Sequence, residues 1–277
     1  MISRIATILL RAFLVILMIA TPSLLLPNTT ADMAQIVSLV AIFAAGLIVF
    51  EYSSSYPCLV EFRDAPPFNR IRFGSLFISI FLITLLLRGA YAPSGLTNLI
   101  AAVGTLVGEA IDFPYSPVRL VVLMLPQDTS ADQISLVRTA AGISYLVSLI
   151  TLAVFIIVIR ILNWPTRSGA FNVWVNLPTF DPTAGGDVVE RLERDARFNI
   201  ALGFLLPFLT PAVITAAGSL FGTLSLTSPQ TLIWTVAAWS FLPASLFMRG
   251  IAMGRIAAMI EDKRRINARA EEEYLAA

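Results

Sequence analysis

Residues 139–159 read TAAGISYLVSLITLAVFIIVI, an uncharged run closed by Arg138 at one end and Arg160 at the other. About 20 apolar residues in a helix cover the roughly 30 Å of hydrocarbon in a bilayer, so this run predicts a transmembrane helix with an arginine at each interface. Toward the C-terminus, Phe198 to Met248 carries no charge and is long enough for two spans around the polar turn GTLSLTSPQ. Toward the N-terminus, AFLVILMIATPSLLLPNTT (12–30) and MAQIVSLVAIFAAGLIVF (33–50) predict two more, and FGSLFISIFLITLLL (73–87) a third. That third run is pinned between Arg72 and Arg88, whose long stems let the guanidinium groups snorkel to opposite interfaces.

The expected fold is an all-α polytopic membrane helix bundle, one membrane domain over 1–277 with spans at about 7–26, 33–50, 72–90, 139–160, 199–222 and 231–249. Composition agrees: 57% of the chain is apolar and 13% charged, where a soluble domain runs near half apolar and about a quarter charged. Arg11 interrupts the first apolar run and no small-x-small cleavage site follows in good position, so that run reads as an anchor rather than a secretory signal. The sequon at Asn28 falls in a predicted outer turn too close to the membrane to carry a glycan.

Six spans sort the charges. Sixteen of the nineteen basic residues fall on the side of both termini, and Arg88, Arg119 and Arg138 on the other. Acidic residues divide thirteen to five, so the formal total of +1 is a sum of +3 on one face and −2 on the other. The positive-inside rule makes the crowded face cytoplasmic, with both termini in the cytoplasm. Short loops and a compact chain fit a bacterial inner (plasma) membrane.

Residues 91–138 form the one sizeable outer segment. Asn98, Ala102, Thr105, Glu109 and Asp112 recur at spacings of four and three, a polar stripe on a helix otherwise lined by Leu, Ile and Val. This predicts an amphipathic helix in the outer interface, followed by the turn DFPYSP and by VRLVVLML, too short to span. The alternative is a re-entrant hairpin with Glu109, Asp112 and Arg119 at its tip as a polar or pore site. Three charges at depth would cost about 2.5–3.5 kcal/mol each on insertion scales unless paired or wet, which favours the interfacial helix.

On the opposite side, residues 161–198 begin with a turn-rich stretch that carries Trp164, Phe171, Trp174 and Phe180. These aromatics suit an interfacial belt or a partner-contact surface. DVVERLERDARF then has Asp187 and Glu190 at capping-box spacing and pairs its own charges at i,i+4, so it predicts a solvated amphipathic helix. In the tail, 250–277, the basic cluster Lys263, Arg264, Arg265 is opposed by Glu271–Glu273.

The chain has no histidine and one cysteine, Cys58. The usual neutral-pH base, the commonest metal ligand and any intrachain disulfide are therefore excluded. There is no P-loop, HExxH, CxxC or Gly-x-Ser-x-Gly motif. The predicted spans contain hydroxyls such as Ser38, Ser79, Thr84, Ser148, Thr151, Thr215 and Ser240 but no carboxylate at depth, which argues against proton relays and acid–base catalysis there. Small-residue pairs Gly104/Gly108, Gly218/Gly222 and Gly250/Gly254 suit close helix packing, Gly218 and Gly222 also against a partner. Pro22, Pro207, Pro211 and Pro243 lie within spans and predict kinks.

The expected function is a non-catalytic accessory, scaffold or assembly subunit of a larger membrane complex. Its expected partners are membrane lipids and other membrane subunits, with no cofactor and no nucleic acid. The alternative is a channel or facilitative transporter that uses 97–125 as a pore element.

Overall fold

Helix starts are written locally. Thr30, Ser94, Ser116 and Ser130 each take an extended backbone and accept a hydrogen bond from an amide three residues on, which satisfies one of the unpaired donors of a first turn. Ser94 and Thr97 complete a reciprocal capping box, and Pro117 follows Ser116 at the position where a missing N–H costs nothing.

The computed structural model describes residues 2–27, 29–162, 164–165, 171–181, 183, 185–221 and 226–276. Among them are nine helices and no strand: α1 (Ile2–Leu25), α2 (Ala31–Ser53), α3 (Phe68–Arg88), α4 (Gly95–Ala110), α5 (Pro117–Val122), α6 (Ala131–Ile161), α7 (Val173–Asn176), α8 (Val188–Phe221) and α9 (Pro229–Ala276). Six of them, α1, α2, α3, α6, α8 and α9, are long and apolar enough to cross a membrane. The chain is thus an all-α, multi-pass membrane protein. Three helices run well beyond their expected spans, and α6 is one, beginning at Ala131 rather than 139. The charged segment 188–197 is continuous with the span that follows it in α8, and α9 has 48 residues, about 72 Å at 1.5 Å per residue.

Packing only partly follows chain order, with α3, α6 and α9 meeting across intervening elements. α8 lies along α9, α9 on α6 and α3, α6 on α3 and α4, and α1 on α2 and α3. The core divides into two apolar clusters. One joins Ile83 and Leu87 of α3 to Val137 of α6 and Ile233 of α9; the other joins Phe68, Phe155, Leu192 and Met253. Hydroxyls bridge the helices between these clusters. Ser144 and Ser240 hydrogen-bond to each other, and Ser148 Oγ donates to the Ser240 carbonyl at 2.9 Å. Thr151 Oγ1 lies 2.7 Å from the Val147 carbonyl and 2.9 Å from Ser75 Oγ. With one proton on each hydroxyl, Thr151 donates to the carbonyl and accepts from Ser75.

α4 packs through its glycines rather than through its largest apolar residues. A Cβ on Gly104 would lie 2.5 Å from Ile143, and one on Gly142 would lie 2.6 Å from Gly108 Cα. Leu96, Leu99, Val103 and Leu106 face outward. Lipid tails are as apolar as leucine, so in a bilayer close backbone approach selects the packed face. Thr97 meets Gly89 just past the end of α3, while Gly104 and Gly108 meet Arg138–Ile143 near the start of α6. The helix therefore stays at that one end of the bundle.

Candidate functional site

Of the expected polar site Glu109, Asp112 and Arg119, the structure brings Asp112 and Arg119 together and leaves Glu109 apart. Asp112 is turned inward and lies 2.8 Å from Arg119 Nε and 2.9 Å from Arg138 Nε, its side chain only 6% exposed. Glu109 points outward, and Thr105 faces Thr139 across 3.4 Å. Asp112 thus serves as a clasp that ties the α4–α5 turn to α6.

The four loop aromatics separate as well. Trp164 and Phe180 are buried, Phe171 is half-buried, and Trp174 alone of the four is exposed. Trp164 is held from both sides, its Nε1 donating to the Ala65 carbonyl at 3.2 Å and its carbonyl accepting from Arg255 Nε at 3.2 Å. Its ring packs on Phe62 and Phe171. Tertiary hydrogen bonds hold Trp164 in the chain's own core, Phe180 is buried in the same cluster and Phe171 packs against it, so Trp174 is the most exposed of the four. Gly218 is half-buried on α8; Gly222 lies outside the described residues.

A different cluster emerges where α1, α2 and α3 meet the loop 54–67. Glu51, 2% exposed, accepts backbone N–H bonds from Cys58, Leu59 and Val60 at 3.1–3.3 Å. Arg63 closes the same loop by donating to the carbonyls of Glu51 and Ser54 at 2.8 and 2.7 Å. At its far side the Asn176 side chain accepts from Asp64 N at 3.0 Å, and the Glu61 carboxylate takes a bidentate bond from Arg249 at 2.6 and 2.9 Å. The loop is built as a rigid wall.

That wall borders a cavity of about 690 Å³ lined by Arg11, Arg63, Arg70 and Arg72, contiguous with a second of about 400 Å³ that adds Arg4. Leu10, Leu14, Val15, Ile48, Phe73 and Leu76 supply an apolar side. The Arg11 guanidinium sits 4.0 Å over the Tyr52 ring. Arg72 does not snorkel free as Arg88 does by reaching the Leu25 carbonyl at the end of α1. Its Nε is buried with no hydrogen-bond partner among the described residues, its charge 5.5 and 5.8 Å from the Phe68 and Phe241 rings. Among the described residues, Asp64 is the one carboxylate lining either cavity, and it lies 3.3 Å from Arg63 Nε. The arrangement can hold an anion that also has an apolar part. Sequence reasoning missed it because its arginines come from α1, the loop and α3, and each alone reads as a topology signal.

The sequence matches no protein-family model and no curated protein, and its fold matches no solved structure.

Proposed function

We propose that this is a non-catalytic accessory, scaffold or assembly subunit of a larger membrane complex, in a bacterial inner membrane with both termini in the cytoplasm. The observation that carries this reading is the form of α9. After Ile260, which still packs on the core, the helix continues unbroken with every residue from 261 to 275 exposed. Ile266, Tyr274 and Leu275 stand outward at 63%, 84% and 85% exposure. Beyond the pair of Arg264 with Asp187 at the start of α8, this arm gains little from its own packing, and one use of a helix polar on all sides is to bridge to a neighbour.

The channel reading draws less support, since Asp112 spends its charge on Arg119 and Arg138 and hydroxyl bonds close the centre of the α3–α6–α9 core.

A photo-crosslinking residue at Ile266 or Tyr274 tests the assignment in native membranes. The expected result is a discrete adduct with one membrane protein, which also co-purifies in mild detergent and is lost when the chain is truncated after Glu261. Adducts with lipid or with a second copy alone, and a lone monomer or homodimer in detergent, would overturn it.

A further inference from the structure

We propose that the arginine-lined cavity binds a phosphate-bearing anionic lipid, its headgroup on Arg11, Arg70 and Arg72 and an acyl chain against the apolar wall formed by Leu14, Val15, Phe73 and Leu76. The first argument is charge. Of the arginines lining the main cavity, Arg63 is committed to the Glu51 and Ser54 carbonyls and to Asp64, whereas Arg11, Arg70 and Arg72 have no carboxylate or carbonyl partner among the described residues. Three guanidinium groups line one cavity whose nearby carboxylates are already engaged, Glu61 by Arg249 and Asp64 by Arg63, so they repel one another, and a buried unpaired donor costs stability. An anion would relieve both costs, and a phosphate accepts from several guanidinium groups at once in the geometry arginine favours.

The second argument is shape. A free inorganic phosphate needs only the polar end of the cavity, but the cavity extends along α1 and α3 past Arg72 to Leu76 and to Phe241 of α9. Both helices are membrane-spanning in length and hydropathy, so this end lies at acyl-chain depth while Arg4 and Arg70 lie toward the interface. Its volume, about 690 Å³, falls within the range of roughly 300–1,000 Å³ usual for ligand sites. The wall facing the headgroup is rigid because Glu51 and Asn176 hold it by backbone bonds, so little ordering cost is left for binding. The site does not depend on which side of the membrane this end faces.

The experiment uses the full chain, purified and stripped of lipid in detergent. Phosphatidylglycerol, phosphatidylcholine, inorganic phosphate and glycerol phosphate are each titrated, with thermal stability and lipid adducts in intact-mass spectra as readouts. Phosphatidylglycerol should stabilise the protein and remain as a one-to-one adduct, while the zwitterionic lipid and the two soluble phosphates do neither at equal concentration. Arg70→Gln, at an exposed position, should weaken phosphatidylglycerol binding about tenfold, the loss expected for one charge-assisted hydrogen bond. Arg72→Met should abolish the lipid-dependent gain while leaving the lipid-free protein as stable as wild type or more so, because it removes a buried donor that has no hydrogen-bond partner among the described residues. Arg269→Gln on the exposed tail should change nothing. Equal stabilisation by glycerol phosphate would replace the lipid with a soluble phosphate and overturn the proposal. So would an Arg72→Met protein that is less stable without lipid yet keeps its full lipid response.

Discussion

Trp239 on α9 donates its indole N–H to the backbone carbonyl of Pro207 on α8 at 3.1 Å. That carbonyl is free because the residue that would bond it within the helix, four positions on, is Pro211, which has no N–H. The proline opens the ladder and the tryptophan fills the gap from the neighbouring helix. Trp239→Phe should therefore leave a buried carbonyl unpaired, at a cost of about 1–3 kcal/mol besides lost packing on Tyr145. Pro211→Ala restores a local donor. In that background Trp239→Phe should cost less by about 1–2 kcal/mol, read from a double-mutant cycle of thermal or denaturant unfolding in detergent. Additive effects would contradict the link.

The glycine contact between α4 and α6 predicts a contrast between two conservative changes. Gly142→Ala would place a methyl group 2.6 Å from Gly108 Cα, backbone that cannot step aside, so the helices must separate. The expected loss is about 1–3 kcal/mol, the usual range for overpacking. Gly74→Ala on α3 meets nothing within 4 Å and should be neutral or slightly stabilising. Equal melting temperatures for the two variants would sink the packing argument.

Asp112 separates structural and conducting roles for the 97–125 segment. Asp112→Asn removes the shared partner of Arg119 and Arg138. Because those arginines are partly exposed, the expected cost is about 1–3 kcal/mol rather than the larger penalty of a fully buried pair. Glu109→Ala, on the outward face, should change stability little. Solute flux in reconstituted vesicles should be the same for both variants and for wild type; a flux that falls with either substitution restores the pore reading.

At the opposite end, Asp187 caps the start of α8 through Val189 and Glu190 and meets Arg264 of α9 at 2.7 Å. The Arg264 hydrogen bond, aided by those amides, holds its carboxyl below the ordinary value of 3.8. A depressed carboxylate stabilises the fold above its unfolded pKa. That contribution is complete at neutral pH, declines as the pH drops below 3.8, and is gone once the lower folded value is passed. Arg264→Gln should move the Asp187 titration, followed by carboxyl-labelled NMR, back up toward 3.8. An unmoved titration would mean that the two side chains do not meet in solution.

Much of this architecture is legible along the chain because its determinants are local. Arg138 and Arg160 bracket an apolar run and the polar stripe from Asn98 to Asp112 marks a helix, so most of α4 and the membrane part of α6 could be expected where they stand, whereas α5 and the first turns of α6 from Ala131 were not expected. What depends on partners distant in sequence was not legible. Gly104 and Gly108 read as a packing pair, but nothing local points to Gly142. Trp164 and Phe180 read as interfacial because Trp favours that depth, and only the Ala65 carbonyl and Arg255 explain why Trp164 is buried. Asp112 scored as a charge on a polar stripe until Arg138, on another helix, claimed it. The same blindness hid the cavity: Arg11 and Arg72 become neighbours only when α1 packs on α3.

The central claim is that the arginine-rich end of the six-helix bundle faces the cytoplasm, and cysteine labelling tests it most directly. Cys58 is exposed in the loop at that end, while Ala92 and Gln127 are exposed at the other. In intact cells, a membrane-impermeant thiol reagent should leave Cys58 unmodified until the membrane is permeabilised. In a Cys58→Ser background it should modify Ala92→Cys and Gln127→Cys without permeabilisation. Labelling of Cys58 from outside, with both introduced cysteines protected, would invert the bundle and contradict the account.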